Sequence, residues 1–121
     1  MRKPFLLLVL GLAWLVGGFA ANAQFVHGTY YECDITKETR ADEIVESTIG
    51  AVVDAQVEAG LIGAWGWLGH NNGGAWRRVF YMVGATTDGI VDARDNLIST
   101  LQEEHSSASR EFSSIWWTQE R

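Results

Sequence analysis

Asn71-Asn72-Gly73-Gly74 separates two apolar runs, LIGAWGWLGH (residues 61–70) and AWRRVFYMVGA (residues 75–85). Asn and Gly accept the positive φ angles that tight β-turns demand, so the two runs predict antiparallel strands joined as a hairpin. A hairpin cannot stand alone in water and needs further elements to cover it. The rest of the chain supplies them in a readable order.

FVHGTYYECDI (residues 25–35) is rich in β-branched and aromatic residues and predicts a strand before the hairpin. Between them, Val45, Thr48, Ile49, Val52, Val53 and Val57 recur at intervals suited to one helix face. They predict a helix from about Arg40 to Ala59, with Thr39 and Asp42 as a capping box and Gly60 as a left-handed terminator. After the hairpin, TTDG opens a second helix with Ile90, Ala93, Leu97, Ile98 and Leu101 as its stripe, ending near Glu104. HSSAS (residues 105–109) reads as a loop and REFSSIWW (residues 110–117) as a short fourth strand. The order is β-α-β-β-α-β, the ferredoxin-like α+β pattern, a four-stranded antiparallel sheet with two helices on one face.

Side chains of a strand alternate between faces. Tyr30 and Glu32 share a side, as do Trp65 and Trp67, and as do Trp76, Arg78, Phe80 and Met82. The aliphatic and small alternates suit helix packing, which leaves Tyr30, Glu32, Trp65, Trp67, Arg78, Phe80 and Met82 on the uncovered face. So much aromatic area calls for a partner, and a second copy packed face to face would bury it.

VHGTYYECDI, the passage DAQVEAGLIGAWGW and the hairpin into RRVFYMVGA resemble the dimeric α+β barrel superfamily, which includes antibiotic-biosynthesis monooxygenase-like and stress-responsive barrel proteins. The resemblance spans roughly residues 25 to 117 and rests on element order, not on a catalytic motif. It implies a homodimer whose sheets close into a barrel, with a cavity in each protomer or at the dimer centre. Activities in that superfamily range from cofactor-free oxygenation, haem chemistry and isomerisation to no known reaction, so fold analogy alone does not select one.

The chemistry-bearing residues are few. His70 can act as a base or ligand, but it sits where a hairpin end calls for a polar residue, on the Leu68 side of its strand. His27 reads as a strand-edge residue and His105 as solvated. Glu32 and Arg78 fall on neighbouring strands and could pair, either as a salt bridge or as a charged clamp for a ligand in an aromatic cavity. The catalytic candidates are Glu32, His70 and Tyr30, which would serve a cofactor-independent monooxygenase or isomerase. The ligand-binding candidates are Tyr30, Glu32, Trp65, Trp67, Arg78 and Phe80, which would hold a small apolar or aromatic molecule. A self-associating envelope protein without a ligand is the third reading. Trp116 and Trp117 read as packing at the dimer edge. Asp92 and Asp95 of DARD read as a solvated helix face. No GxSxG, P-loop or GxGxxG is present, nor any CxxC or HExxH spacing. No metal and no cofactor are expected. Cys33, the only cysteine, reads as a small buried strand residue, and an intrachain disulfide is excluded.

The N-terminus has a different character. Arg2 and Lys3 precede an apolar run from Phe5 to Ala21, and Ala21-Asn22-Ala23 supplies small residues at the positions a signal peptidase reads. Residues 1–23 therefore read as a signal peptide cleaved after Ala23, and 24–121 as one ferredoxin-like α+β barrel domain, secreted or periplasmic and free of the membrane after cleavage. The chain carries a net charge of −6. Removing Arg2 and Lys3 makes the remainder still more acidic, with no basic stripe, which argues against nucleic acid as a partner.

Overall fold

A computed structural model describes residues 24–117; Met1–Ala23, the stretch read as a signal peptide, lies outside the described residues. The strands are β1 (Phe25–Tyr31), β2 (Ala64–Gly69) and β3 (Arg78–Gly84). They form an antiparallel sheet in the order β1-β3-β2, with Tyr31 opposite Arg78, and Trp67 and Thr29 flanking Phe80. The helices are α1 (Glu38–Ile44), α2 (Gly50–Glu58), α3 (Thr87–Glu104) and α4 (Ser106–Ile115). A π-helical turn, Val45–Ile49, joins α1 to α2 without a break in helical backbone angles. Gly50 closes this turn by donating its N–H to the Val45 carbonyl. A Cβ at Gly50 would lie 2.9 Å from that oxygen and 3.2 Å from the Trp65 ring, so the widened turn and the indole beside it both require glycine here.

Local signals account for most boundaries. Gly60, at φ 76°, terminates α2. Leu61 N–H reaches back to the Gln56 carbonyl and Gly60 N–H to that of Val57, the pair of bonds of a Schellman end. Thr86 caps α3 by accepting the Gly89 N–H at 3.0 Å. The N-terminal cap foreseen at Thr39 lies elsewhere. Asp34 accepts from the Thr36 amide and hydroxyl and starts a 3-10 turn that leads into α1. Asp42 is thereby freed to face the sheet. The hairpin connection runs over residues 70–77, longer than a tight turn, and it is Gly73 and Gly74 that take positive φ.

Several expectations fail here. The sheet has three strands among the described residues, because residues 110–115 are helical. Ala108, Phe112 and Ile115 recur at helical spacing and bury that face; the period-of-two reading of REFSSIWW competed with it and lost. Ser106–Ser109, read as a loop, begin the same helix. Second, the helices cover the opposite sheet face from the one expected. Trp65, Trp67, Arg78, Phe80 and Met82 lie on the helix side, whereas Val26, Tyr30, Val79, Tyr81, Val83 and Leu68 lie on the open side. Strand β1 is also one residue out of the expected phase, so that Tyr31, not Tyr30, joins Trp67 and Phe80.

The core is the layer between sheet and helices, where Ile44, Val53, Met82 and Ile90 are the largest fully buried side chains. Cys33 is buried too, just beyond the end of β1 and not within it. Burial pushes its thiol pKa up, and the Glu38 carboxylate reinforces this, so the group stays a protonated apolar filler.

Candidate functional site

A cleft of about 280 Å³ opens between β1 and the helices. Its floor comes from the sheet: Tyr31, Trp67, Phe80 and Met82. Its far wall comes from Leu97, Ile98 and Leu101 of α3 and from Phe112 of α4 together with Trp116 just beyond it. The rings form a continuous set. Tyr31 lies 4.7 Å from Trp116 and 5.8 Å from both Trp67 and Phe112 between ring centroids, and Phe112 lies 5.4 Å from Trp116. Such spacings fall in the range where aromatic pairs attract beyond simple burial. Polar groups punctuate this lining: His27 and Thr29 on β1, Arg94 and Gln102 on α3, Ser109 and Ser113 on α4. Burial raises the Tyr31 phenol pKa, while the Arg94 charge acts in the other direction. The Trp116 indole N–H is buried with no hydrogen-bond partner among the described residues. A native interior seldom leaves a donor in that condition.

The cleft wall is held by ion pairs that join helix to sheet. Arg78 grips Asp42 in a two-pronged contact, Nε to Oδ1 at 2.7 Å and Nη2 to Oδ2 at 2.8 Å. Its third nitrogen lies 3.4 Å from Glu38, which also accepts from Arg77 Nε. Asp42 Oδ1 additionally accepts the Trp67 indole N–H at 2.8 Å, and Asp54 accepts that of Trp65 at 2.8 Å. Each indole thus presents its ring to the core and spends its one donor on an acid of the covering helices. Arg78 hydrogen bonding depresses the Asp42 pKa below its usual value, and Arg77 does the same for Glu38. These are structural anchors with their charges consumed, and they leave Arg78 no free donor set for a ligand.

The residues singled out in the sequence therefore scatter. Trp67 and Phe80 lie in the cleft lining; Trp65 packs behind Phe80, 5.9 Å between centroids, and Arg78 belongs to the anchor. The Glu32–Arg78 pair does not form, because Arg78 faces Asp42 and Glu38 on the helix that precedes it in space. Glu32 lies just past β1, where its carbonyl accepts the Trp117 N–H. His70 donates its Nδ1–H to the Trp76 carbonyl and stacks on the Trp76 ring at 4.7 Å. Tyr30 meets the other edge of that ring at 5.7 Å, on the open face. Glu32, His70 and Tyr30 do not converge on the cleft. His27, read as an edge residue, lines it instead, and Trp116 packs inside while Trp117 is exposed. The alternation His27, Thr29, Tyr31 along β1 was the available signal: its helix-facing positions are all polar-tipped, which a plain core strand would not require. Among the described residues no group of three or more His, Cys, Asp or Glu could hold a metal.

A sheet β1-β3-β2 with its helices packed on one side defines a ferredoxin-like α+β protein, and a comparison of structures agrees. The chain is similar to a dimeric protein of unknown function and ferredoxin-like fold from Bacteroides fragilis, at 12% identity and a TM-score of 0.50, over 80% of this chain and 90% of that one. No protein-family model matches the chain, and no curated protein matches its sequence.

Proposed function

We propose that this is an exported, dimeric α+β barrel protein that binds a small apolar or aromatic molecule between its sheet and its helices. The observation that carries the reading is the aromatic cleft, which combines a largely apolar lining, a few convergent polar groups and a buried unpartnered indole donor. Its volume lies just below the roughly 300–1,000 Å³ typical of ligand sites, which limits the occupant to a small molecule. Titrating the purified protein with a panel of uncharged aromatic molecules is expected to give a saturable change in tryptophan emission, since Trp67 and Trp116 line the cleft. Ser109→Trp, which fills the cleft from α4, is expected to abolish it. A panel without response would defeat the reading.

The dimer is supported by the opposite side of the sheet. Val26 is 67% exposed, Tyr30 64% and Leu68 50%, and Tyr81 and Val83 lie between them, an apolar surface that a monomer seldom leaves in water. The Tyr81 ring covers Gly66, where an added Cβ would fall 2.2 Å from it, so glycine is needed beneath this ring. A second copy of the same face is its simplest complement, and the Bacteroides protein is itself described as dimeric. Sedimentation of the purified protein is expected to show a dimer at micromolar concentration, and Leu68→Asp a folded monomer. A monomeric parent protein would remove the barrel from the reading while leaving the cleft in place.

A further inference from the structure

The cleft's polar lining has a sign. The chain holds 15 acidic residues against 9 basic ones, yet no Asp or Glu lines the cleft, whereas Arg94 and His27 do. The buried Trp116 indole can only donate. Arg94 is likewise a pure donor, with a planar fork suited to two oxygens of one carboxylate. Its charge reaches the cleft floor, since it opposes the upward push that burial exerts on Tyr31. The remaining polar groups, hydroxyls and an amide, can donate as readily as accept. An interior offering donors and positive charge but no anion is complementary to an acceptor-rich, negatively charged group. The rings of Tyr31, Phe112 and Trp116 around it are complementary to a flat apolar body.

We infer that the ligand is a small aromatic carboxylic acid, its ring among Tyr31, Trp67, Phe112 and Trp116 and its carboxylate held by Arg94. This deepens the binding reading above and rests on it. The anionic head would sit at the exposed side of the cleft, where Arg94 retains access to water, so the carboxylate need not be fully desolvated. The acidic remainder of the protein makes such a site selective: an anion is repelled elsewhere and attracted there.

Calorimetry with 2-naphthoate, the neutral isostere 2-naphthylmethanol and the aliphatic acid octanoate separates the elements of this inference. Naphthoate is expected to bind roughly tenfold or more tightly than the alcohol, the contribution of a charge-assisted hydrogen bond, and more tightly than octanoate. Arg94→Gln, at an exposed helix position where folding is not at stake, is expected to erase the acid's advantage over the alcohol. Equal affinity for acid and alcohol, or a preference that survives Arg94→Gln, would overturn the assignment while the binding reading stands. Octanoate matching naphthoate would overturn its aromatic half. If neither naphthyl probe binds, the binding reading and this inference fall together.

Discussion

Phe80→Ala is expected to destabilise the protein by about 3–5 kcal/mol, the usual cost of removing a buried aromatic ring. Phe80 lies in the central strand, flanked across the sheet by Thr29 and Trp67. Its ring is buried, packs against Trp65 and forms part of the cleft floor. Its neighbours have little freedom to collapse into the gap, because the indoles of Trp65 and Trp67 are each tied to an acid on the covering helices. The cost should therefore sit in the upper half of the range. Small domains hold only about 5–15 kcal/mol in total, so the variant should be folded at low temperature and marginal at physiological temperature. Urea unfolding checks this: the midpoint should fall while the slope stays constant, since the same surface is exposed on unfolding. A loss under about 1 kcal/mol would mean that the ring is not packed in this way.

Arg78→Met should rank second, at about 2–3 kcal/mol. Removing one partner of a buried pair leaves an uncompensated charge and costs about 3–5 kcal/mol when burial is complete. Arg78 and Glu38 are largely buried, but the Asp42 side chain is 42% exposed, and water screens part of that penalty. Arg77 also continues to serve Glu38. The effect should depend on pH, and the sign follows from the depressed carboxylate pKa values. Asp42 and Glu38 titrate lower in the folded protein than their ordinary values of 3.8 and 4.5. Their contribution is complete above those ordinary values and disappears as pH falls through the folded ones. The gap between parent and Arg78→Met should thus be full at neutral pH and shrink below about pH 4. Thermal unfolding across that window measures it. Arg78→Lys should recover only part of the loss, because an ammonium cannot reproduce the two-pronged contact with Asp42. A gap that stays constant down to acid pH would show that the network contributes nothing electrostatic.

Much of this is legible in the sequence. The spacing Ile90, Ala93, Leu97, Leu101 gives α3 because a helix brings every third and fourth residue to one side, and those four are buried. Gly60 had to end a helix because its left-handed backbone is open to glycine without penalty. The pairing of Trp65 with Trp67, and of Arg78 with Phe80 and Met82, follows from alternation alone. These are consequences of backbone geometry repeated over a few residues, so neighbouring positions suffice to read them.

What the strand pattern could not supply was which face the helices take. Both faces of this sheet are apolar: one carries indoles and Phe80, the other valines, leucine and tyrosines. Hydrophobicity therefore does not choose between them. The choice is made by contacts between residues far apart in the chain, Trp67 with Asp42, Trp65 with Asp54 and Arg78 with Asp42. Each places a donor from the sheet against an acid of the helix, and each would be lost if the sheet were turned over. The same distant packing sets the phase of β1 and makes α4 a helix, since Phe112 and Trp116 gain their aromatic neighbours only in that form. From its sequence alone, then, this protein was legible as a strand, a helix, an aromatic hairpin and a second helix in that order, whereas the fourth strand read at its end is a helix. Only the tertiary structure decided that the aromatic side turns inward, because the indole N–H groups of Trp65 and Trp67 find their partners, Asp54 and Asp42, on another element.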